Sequence, residues 1–250
     1  MHRTLTDTPP RRAALVAGVG YLAIFVLAVV ANFVVRGSLV VPDDAAATYA
    51  NVAESETLFR AGLIAFLAVF VLDVAIAWGL YLVLRPVAPA LSLLAAWFRI
   101  VYTVFLGVAL VFWAGAIAVT GGEEFMTAFD QGQREAQVTL LLQAFDWTWL
   151  IGLVAFGLHL VVVGGVLVAS RLAPRALGIV LVVAGLAYVV DTLAHALMTS
   201  YADYADAFLA MVALPSMVGE MWLALWLLAR AGRGSATRIT GSSPVPVAVG

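Results

Sequence analysis

The fifth hydrophobic stretch of the sequence carries an aspartate and a histidine four residues apart, Asp191 and His195. On a helix this spacing places both side chains on one face, and Tyr188 lies one turn earlier on the same side. An ionisable group inside a membrane span is costly, so its presence indicates a functional site by default. These three residues are therefore the first candidates for chemistry.

Asp146, near the predicted outer end of the fourth stretch, could join Asp191 and His195 in an outward-facing pocket. Carboxylates and imidazole bind zinc and other divalent ions, so these three residues are candidate metal ligands. The same groups suit a proton relay, because both types exchange protons near neutral pH in a suitable environment. In a purely structural interpretation, Asp191 accepts a hydrogen bond from His195 or Tyr188 and locks a helix contact. The sequence leaves all three interpretations open.

Asp73, Arg99 and Glu220 are predicted to share one depth in the membrane, about 15 to 18 Å from the inner end at 1.5 Å per residue. We expect Arg99 to pair with Asp73, Glu220 or both, because an unpaired guanidinium is disfavoured there. Such a cluster either joins spans two, three and six structurally or acts as a gate or proton site. His159, near mid-depth on the fourth span, is interpreted as a histidine that faces the bundle interior rather than as a ligand.

The composition places these residues in a membrane-spanning chain. Of the 250 residues, 64% are hydrophobic and 11% are charged, which is far outside the range of a soluble domain. The sequence contains no cysteine, so disulfides, thiolate metal sites and cysteine nucleophiles are excluded. No phosphate loop, dinucleotide fingerprint or serine elbow is present.

Six apolar runs are long enough to cross a bilayer, which predicts an all-α membrane protein with six transmembrane helices. The first run is too long for the apolar part of a signal peptide, so we expect an anchored helix. Pro42-Asp43 predicts the start of a short helix on the membrane surface, and glycines in the fourth and fifth runs predict close helix packing. The predicted spans are 13–35, 61–84, 90–120, 138–170, 176–200 and 207–229.

The predicted domains follow from these runs. Residues 1–12 form a cytoplasmic N-terminal segment and residues 13–230 a six-helix transmembrane domain. Residues 231–250, rich in Gly, Ser and Pro, form a disordered cytoplasmic tail.

The charges orient the six spans. All 13 basic residues are arginine, and with both termini cytoplasmic nine of them lie inside and three outside. Tryptophans are expected near the two interfaces: Trp113, Trp147 and Trp149 outside, and Trp78, Trp97, Trp222 and Trp226 inside. Arginine without lysine, and heavy use of Ala, Val and Gly, suggests a GC-rich bacterial genome. We therefore expect a multi-pass protein of the bacterial inner membrane.

Several short segments occur in a characteristic order and spacing over roughly residues 13–230. They are Phe33-Val34-Val35-Arg36-Gly37-Ser38-Leu39 with 43–47, Leu84-Arg85-Pro86, Ala96-Trp97-Phe98-Arg99, Gly157-Leu158-His159-Leu160, Pro174-Arg175 with Leu177-Gly178, Ala187-Tyr188-Val189-Val190-Asp191, and Glu220 ahead of Leu225-Trp226. In these segments the sequence resembles the uncharacterised bacterial membrane family DUF4386. The resemblance implies a multi-helix integral membrane fold and carries no established activity or catalytic residues.

The sequence favours a non-enzymatic membrane protein, namely a small transporter or an ion- or proton-coupled permease, because carboxylates lie in four different spans. A membrane-embedded metal-dependent hydrolase, with zinc or a similar ion at the outer residues, is one alternative. A non-catalytic partner or sensor protein is another. The expected partner is the lipid bilayer and not nucleic acid, while a small-molecule or ion substrate and self-association are left open.

Overall fold

The computed structural model describes residues 10–236, and within them six long helices account for most of the chain. Each of the six is long and apolar enough to cross a membrane, and no strand occurs in this range. The prediction of an all-α protein with six spans is therefore confirmed. We label the long helices in chain order: α1 Pro10–Leu39, α2 Glu56–Leu84, α3 Pro89–Thr120, α4 Gln131–Ser170, α5 Arg175–Leu197 and α6 Ala205–Ala236.

The six helices form a closed ring. Each packs against the next one in the chain, and α6 returns to pack against α1. The Nε of Arg11, near the start of α1, donates a hydrogen bond to the carbonyl oxygen of Ala231, near the end of α6. Both ends of the described chain therefore lie on the same side of the bundle. That this side is cytoplasmic stays a prediction.

The predicted short helix after the first span is confirmed. It spans Ala45–Glu54, and the side chain of Asp44 caps it by accepting a hydrogen bond from the backbone N–H of Ala47 at 2.8 Å. The helix packs against α4 beyond the end of α1. A second polar connection contains the 3₁₀ helix Glu124–Ala128 and ends in a capping box between Asp130 and Gln133, where α4 begins.

The structure differs from the predicted boundaries at several helix ends. Capped by Asp130, α4 begins at Gln131, seven residues before the predicted start, and α6 continues to Ala236, past the predicted end of the domain at 230. In both places the helix continues through polar residues that a hydrophobicity pattern cannot assign. The rest of the predicted cytoplasmic segment and tail, residues 1–9 and 237–250, lies outside the described residues.

Two pairs of glycines bring α4 and α5 into close contact, as the sequence predicts. A Cβ built at Gly164 would lie 2.5 Å from the carbonyl oxygen of Gly178, and one built at Gly157 would lie 2.5 Å from that of Gly185. Real Cβ atoms do not approach backbone oxygens this closely. Only glycine therefore permits the observed separation of the two helices.

Replacing Gly164 by valine should destabilise the protein by about 1 to 3 kcal/mol, because the two backbones must separate. Gly165 is a matched control, since a Cβ built there meets nothing within 4 Å. The Gly165→Val variant makes the same change of helix propensity without a clash. Thermal unfolding of both variants in detergent checks the prediction, and equal losses would contradict it.

The sixth helix differs from the other five in two respects. It has the smallest buried share of the six spans, 28%, and it contains Pro215 within its length. A proline inside a helix removes one backbone hydrogen bond and commonly kinks the helix. Glu220 follows Pro215 by little more than one turn.

Candidate functional site

A buried ion pair occupies the interior of the bundle. The guanidinium of Arg99 on α3 donates from Nε and Nη2 to Oδ1 of Asp73 on α2, at 2.9 and 2.5 Å. Both residues are only 1% exposed. The pairing of Arg99 with Asp73, which depth alone suggested, is thus present. Charge-assisted bonds of this kind are among the strongest that side chains form.

The remaining guanidinium nitrogen of Arg99 reaches two other helices. Nη1 donates to the hydroxyl of Tyr21 on α1 at 2.7 Å and lies 3.3 Å from Nε2 of His159 on α4. The guanidinium also lies over two aromatic rings, 4.7 Å from the centre of Tyr21 and 5.3 Å from that of Phe156. Arg99 therefore ties together helices α1, α2, α3 and α4.

The hydrogen bonds of His159 define its tautomer. Its Nδ1 lies 2.8 Å from the carbonyl oxygen of Ala95, which can only accept, so Nδ1 carries the proton. Nε2 is then free to accept from Arg99, and His159 is a neutral imidazole. The prediction that His159 faces the bundle interior is confirmed. Its place beside Arg99, however, was not anticipated, because nothing in the sequence links span four to the other three.

Two carboxylates beside Arg99 have oxygen atoms that accept no hydrogen bond within the described residues. Oδ2 of Asp73 is buried and has no hydrogen-bond partner within the described residues. Glu220 on α6 is half-buried and interacts electrostatically with Arg99 and Asp73. No hydrogen bond or ion pair to its carboxylate is present among residues 10–231. The sequence-based alternative in which Arg99 bonds directly to Glu220 is therefore not realised.

We call Tyr21, Asp73, Arg99, His159 and Glu220 the central cluster. With His159 neutral, it contains one cation and two acids, so one negative charge has no protein counter-charge when both acids are ionised. A buried, uncompensated charge in a membrane protein is strongly disfavoured. The arrangement is suited to holding one exchangeable proton or one bound cation.

Tyr188 belongs to the boundary of this cluster rather than to the outer site where the sequence placed it. Its side chain interacts with Ser216 and with Glu220, both on α6. It also packs edge-on against Phe156, with ring centres 5.4 Å apart. One face of α5 therefore carries residues whose contacts lie at two different depths of the bundle.

The outer candidates pair with other partners than the sequence suggested. Asp146 forms an ion pair with Arg36 at 2.5 Å, and Asp191 accepts a hydrogen bond at 2.7 Å from the hydroxyl of Tyr201 rather than from His195 or Tyr188. Arg36 lies near the end of α1, just past the first apolar run, and Tyr201 lies in the connection between α5 and α6. Hydrophobic periodicity gives no contact information at either place.

His195 lies between aromatic rings at this outer level. The centre of its ring is 4.9 Å from that of Trp147 and 4.3 Å from that of Tyr201. Across the described residues, no three His, Asp or Glu side chains are grouped as a metal site would require. The structure thus does not bring Asp146, Asp191 and His195 together as the proposed ligand set.

One known protein family matches most of this chain. The family described as "Domain of unknown function (DUF4386)" matches residues 16–231. The chain belongs to this family. An uncharacterised protein of Archaeoglobus fulgidus is 25% identical to the DUF4386 chain over 166 residues, which cover 66% of this chain and 81% of that protein. No solved structure matches the chain significantly.

The DUF4386 match includes all five residues of the central cluster and the outer residues as well. Tyr21 is the cluster member that sequence reasoning missed entirely. The one signal for it was a single phenol in a first span whose other residues, apart from Asn32, are apolar, since a buried hydroxyl needs a partner. No other feature of the sequence pointed from α1 toward Arg99.

Proposed function

We propose that this DUF4386 protein is a small ion- or proton-coupled transporter of the bacterial inner membrane, with both termini cytoplasmic. Its coupling site is the central cluster, and Glu220 is the carboxylate that takes up and releases the coupling proton or cation. The observation that carries the proposal is the surplus acid beside Arg99. Asp73 Oδ2 and the Glu220 carboxylate both lack hydrogen-bond partners within the described residues.

The charge balance of the cluster supports a reversible binding step. When Glu220 is protonated, the single positive charge of Arg99 is balanced by Asp73. When the proton leaves, the site carries one net negative charge, which a cation can neutralise. The site is neutral with either a proton or a cation bound, so one can replace the other. Such an exchange is the basic requirement for coupling the transport of one to the movement of the other.

The position of the cluster supports the same function. Transporter sites commonly lie near the bilayer midplane, on helices interrupted within the membrane. Glu220 follows Pro215 on α6, the helix with the least buried span in the bundle. A helix held by few contacts and weakened by proline is well suited to move when the charge of Glu220 changes.

Proteoliposomes loaded with a fluorescent pH indicator test the proposal. An imposed pH gradient is challenged with a panel of solutes: sodium, potassium, amino acids, sugars and organic ammonium ions. We expect at least one class to dissipate the gradient with the native protein and to fail with Glu220→Gln, because the amide cannot exchange a proton.

Glu124→Gln is the matched control, since Glu124 is exposed in the outer connection and should behave like the native protein. Both variants must give a single symmetrical peak in size-exclusion chromatography. If no solute produces a Glu220-dependent change in internal pH, the proposal is wrong.

A further inference from the structure

The two ends of the bundle close differently over the central cluster. Between the cluster and the end that carries Arg11 and Ala231, all six helices contribute apolar side chains to one buried hydrophobic core. One such residue from each helix, α1 to α6 in turn, is Ala17, Leu80, Ala95, Val163, Leu181 and Leu227. Each of these is at most 3% exposed, so a layer of buried apolar side chains covers the cluster on that side.

The helix backbones are also closely packed at this end. A Cβ built at Gly79 of α2 would lie 2.7 Å from the carbonyl oxygen of Ala13 of α1. A Cβ built at Gly18 of α1 would lie 3.1 Å from the carbonyl oxygen of Ala224 of α6. Helices this close leave too little space for a file of water molecules between them. Proton access to the cluster is therefore closed on this side.

The opposite end of the bundle, which we call the far end, lacks this layer between α5 and α6. Two large clusters of buried hydrophobic residues make up the core of the described chain. Neither of them includes a residue beyond Tyr188 on α5 or before Trp222 on α6. The way from Glu220 to the far end therefore runs beside a part of the bundle that the hydrophobic core does not fill.

Polar side chains lie along this way, beginning at Glu220. Ser216, Leu223 and Leu227 share the face of Glu220 at helical spacing and are all buried, so Glu220 lies on the inward face of α6. Ser216 is one turn closer to the far end and is a hydrogen-bond partner of the Tyr188 side chain on α5. Tyr188 also interacts electrostatically with Glu220 and thus connects the acid to α5.

Asp191 extends this series of polar groups to the far end. It follows Tyr188 by three residues on α5, and the two side chains interact electrostatically. Its Oδ1 accepts the hydrogen bond from Tyr201, which lies in the connection at the far end. Asp191 is half-buried, whereas Asp73 in the cluster is 1% exposed. Asp191 is therefore the carboxylate through which this series meets the solvent.

We propose that the coupling ion is a proton and that it reaches Glu220 from the far end through Asp191 and Tyr188. This inference rests on the transporter function proposed above, and it names the coupling ion and the side from which the ion enters. The proton leaves the carboxylic acid of Asp191, and the Tyr188 hydroxyl accepts it while giving its own proton to the Glu220 carboxylate. Water molecules bridge the groups that are not directly hydrogen-bonded. Asp191 ends ionised, Tyr188 ends neutral and Glu220 ends protonated, so exactly one proton has moved.

The groups along the path suit a proton better than a metal ion. Hydroxyls and carboxylates pass a proton from one to the next, whereas a hard metal cation needs about six oxygen ligands at one place. A metal ion at Glu220 would also be repelled by the guanidinium of Arg99. The charged and titratable groups around Glu220 are Tyr21, Asp73, Arg99, Tyr188 and, beside Arg99, His159. Those around Asp191 are Tyr188, Tyr201 and, four residues later on α5, His195.

Infrared spectroscopy after a flash that releases protons from a caged compound tests the inference on the full chain in detergent. The C=O stretch of a protonated carboxylic acid reports the uptake of the proton, and its loss in Glu220→Gln assigns the band to Glu220. We expect Asp191→Asn to slow the appearance of this band about tenfold or more, because a positioned proton donor is lost. The final intensity of the band should stay unchanged, and Asp191→Glu should restore the rate. A merely structural role of Asp191 would change the final intensity instead.

Tyr188→Phe keeps the inference testable if Asp191→Asn does not fold. It removes the hydroxyl, keeps the ring that packs on Phe156, and should slow the band to a similar extent. Asp203→Asn and Tyr204→Phe are matched controls, because both residues are exposed in the same connection, and they should keep the native rate. Native rates in Asp191→Asn and Tyr188→Phe overturn the inference. So does the lack of any band that depends on Glu220 between pH 6 and pH 9.

The two proposals fail separately, because the infrared measurement needs no transported solute. If the Glu220 band forms at the native rate in both path variants while a solute gives Glu220-dependent pH changes in liposomes, the path is wrong and the transporter stands. If both variants slow the band but no solute of the panel dissipates the gradient, the proton path is right and the transporter is wrong.

Discussion

Replacing Arg99 by methionine should lower the free energy of unfolding by about 3 to 5 kcal/mol. Loss of the guanidinium leaves Asp73 buried without any partner and removes the hydrogen bond that Arg99 donates to Tyr21. Breaking one side of a buried ion pair is strongly destabilising, because the remaining charge is left without compensation. Unfolding of the purified protein by SDS in mixed micelles measures the loss.

Removing both charges should restore most of this stability. In the double variant Arg99→Met with Asp73→Leu, apolar side chains of similar size replace the ion pair, an exchange that is often neutral in proteins. Arg60→Met is the control for a lost arginine, since Arg60 forms an exposed pair with Glu56 worth about 1 kcal/mol or less. A double variant no more stable than Arg99→Met alone would show that the pair itself does not cause the loss.

The ion pair of Arg99 and Asp73 also helps to distinguish a structural role from a functional role within the central cluster. Arg99 and Asp73 hold four helices together, whereas Glu220 makes no hydrogen bond within the described residues. Neutralising Glu220 should therefore leave the bundle folded while it changes proton and cation binding. A structural role for the whole cluster would instead make Glu220→Gln as destabilising as Arg99→Met.

The six spans could be predicted from the sequence because hydrophobic runs of sufficient length are a direct physical consequence of a lipid solvent. Counting residues from the turns predicted to be cytoplasmic placed Asp73 and Arg99 at one depth, and the structure confirms their contact. Axial position is thus readable from a single sequence. It depends only on the helical rise and on where each run begins.

The direction in which each side chain faces around the bundle could not be read in this way. Uniformly apolar helices carry almost no periodic signal, so depth alone could not show that His159 and Tyr21 meet Arg99 or that Glu220 makes no hydrogen bond to it. The pairing of Asp191 with Tyr201 was missed for a related reason. Tyr201 begins a short 3₁₀ helix, Tyr201–Tyr204, whose geometry the sequence does not specify.

Trp113 shows the same limit in the outer half of the bundle. The sequence predicts its depth, near the outer membrane interface, and gives no sign that the ring is buried completely in the core, as the structure shows. Its ring stacks on Phe59 at 4.6 Å and meets Phe66 and Phe145 edge-on, and its indole N–H donates to the carbonyl oxygen of Phe59 at 3.2 Å. An interface preference describes average tryptophans, whereas this one fills the space between α2, α3 and α4.

Replacing Trp113 by alanine should therefore lower the free energy of unfolding by about 3 to 5 kcal/mol, because a large cavity replaces the ring. Trp113→Phe should cost less, since it keeps part of the aromatic contacts and loses the hydrogen bond to Phe59. Trp97→Ala, on the outside of the same helix and 67% exposed, should change stability by about 0.5 kcal/mol or less. Unfolding by SDS measures all three variants. A loss at Trp113 as small as the loss at Trp97 would mean that the Trp113 ring faces lipid, and its burial between the three helices would be wrong.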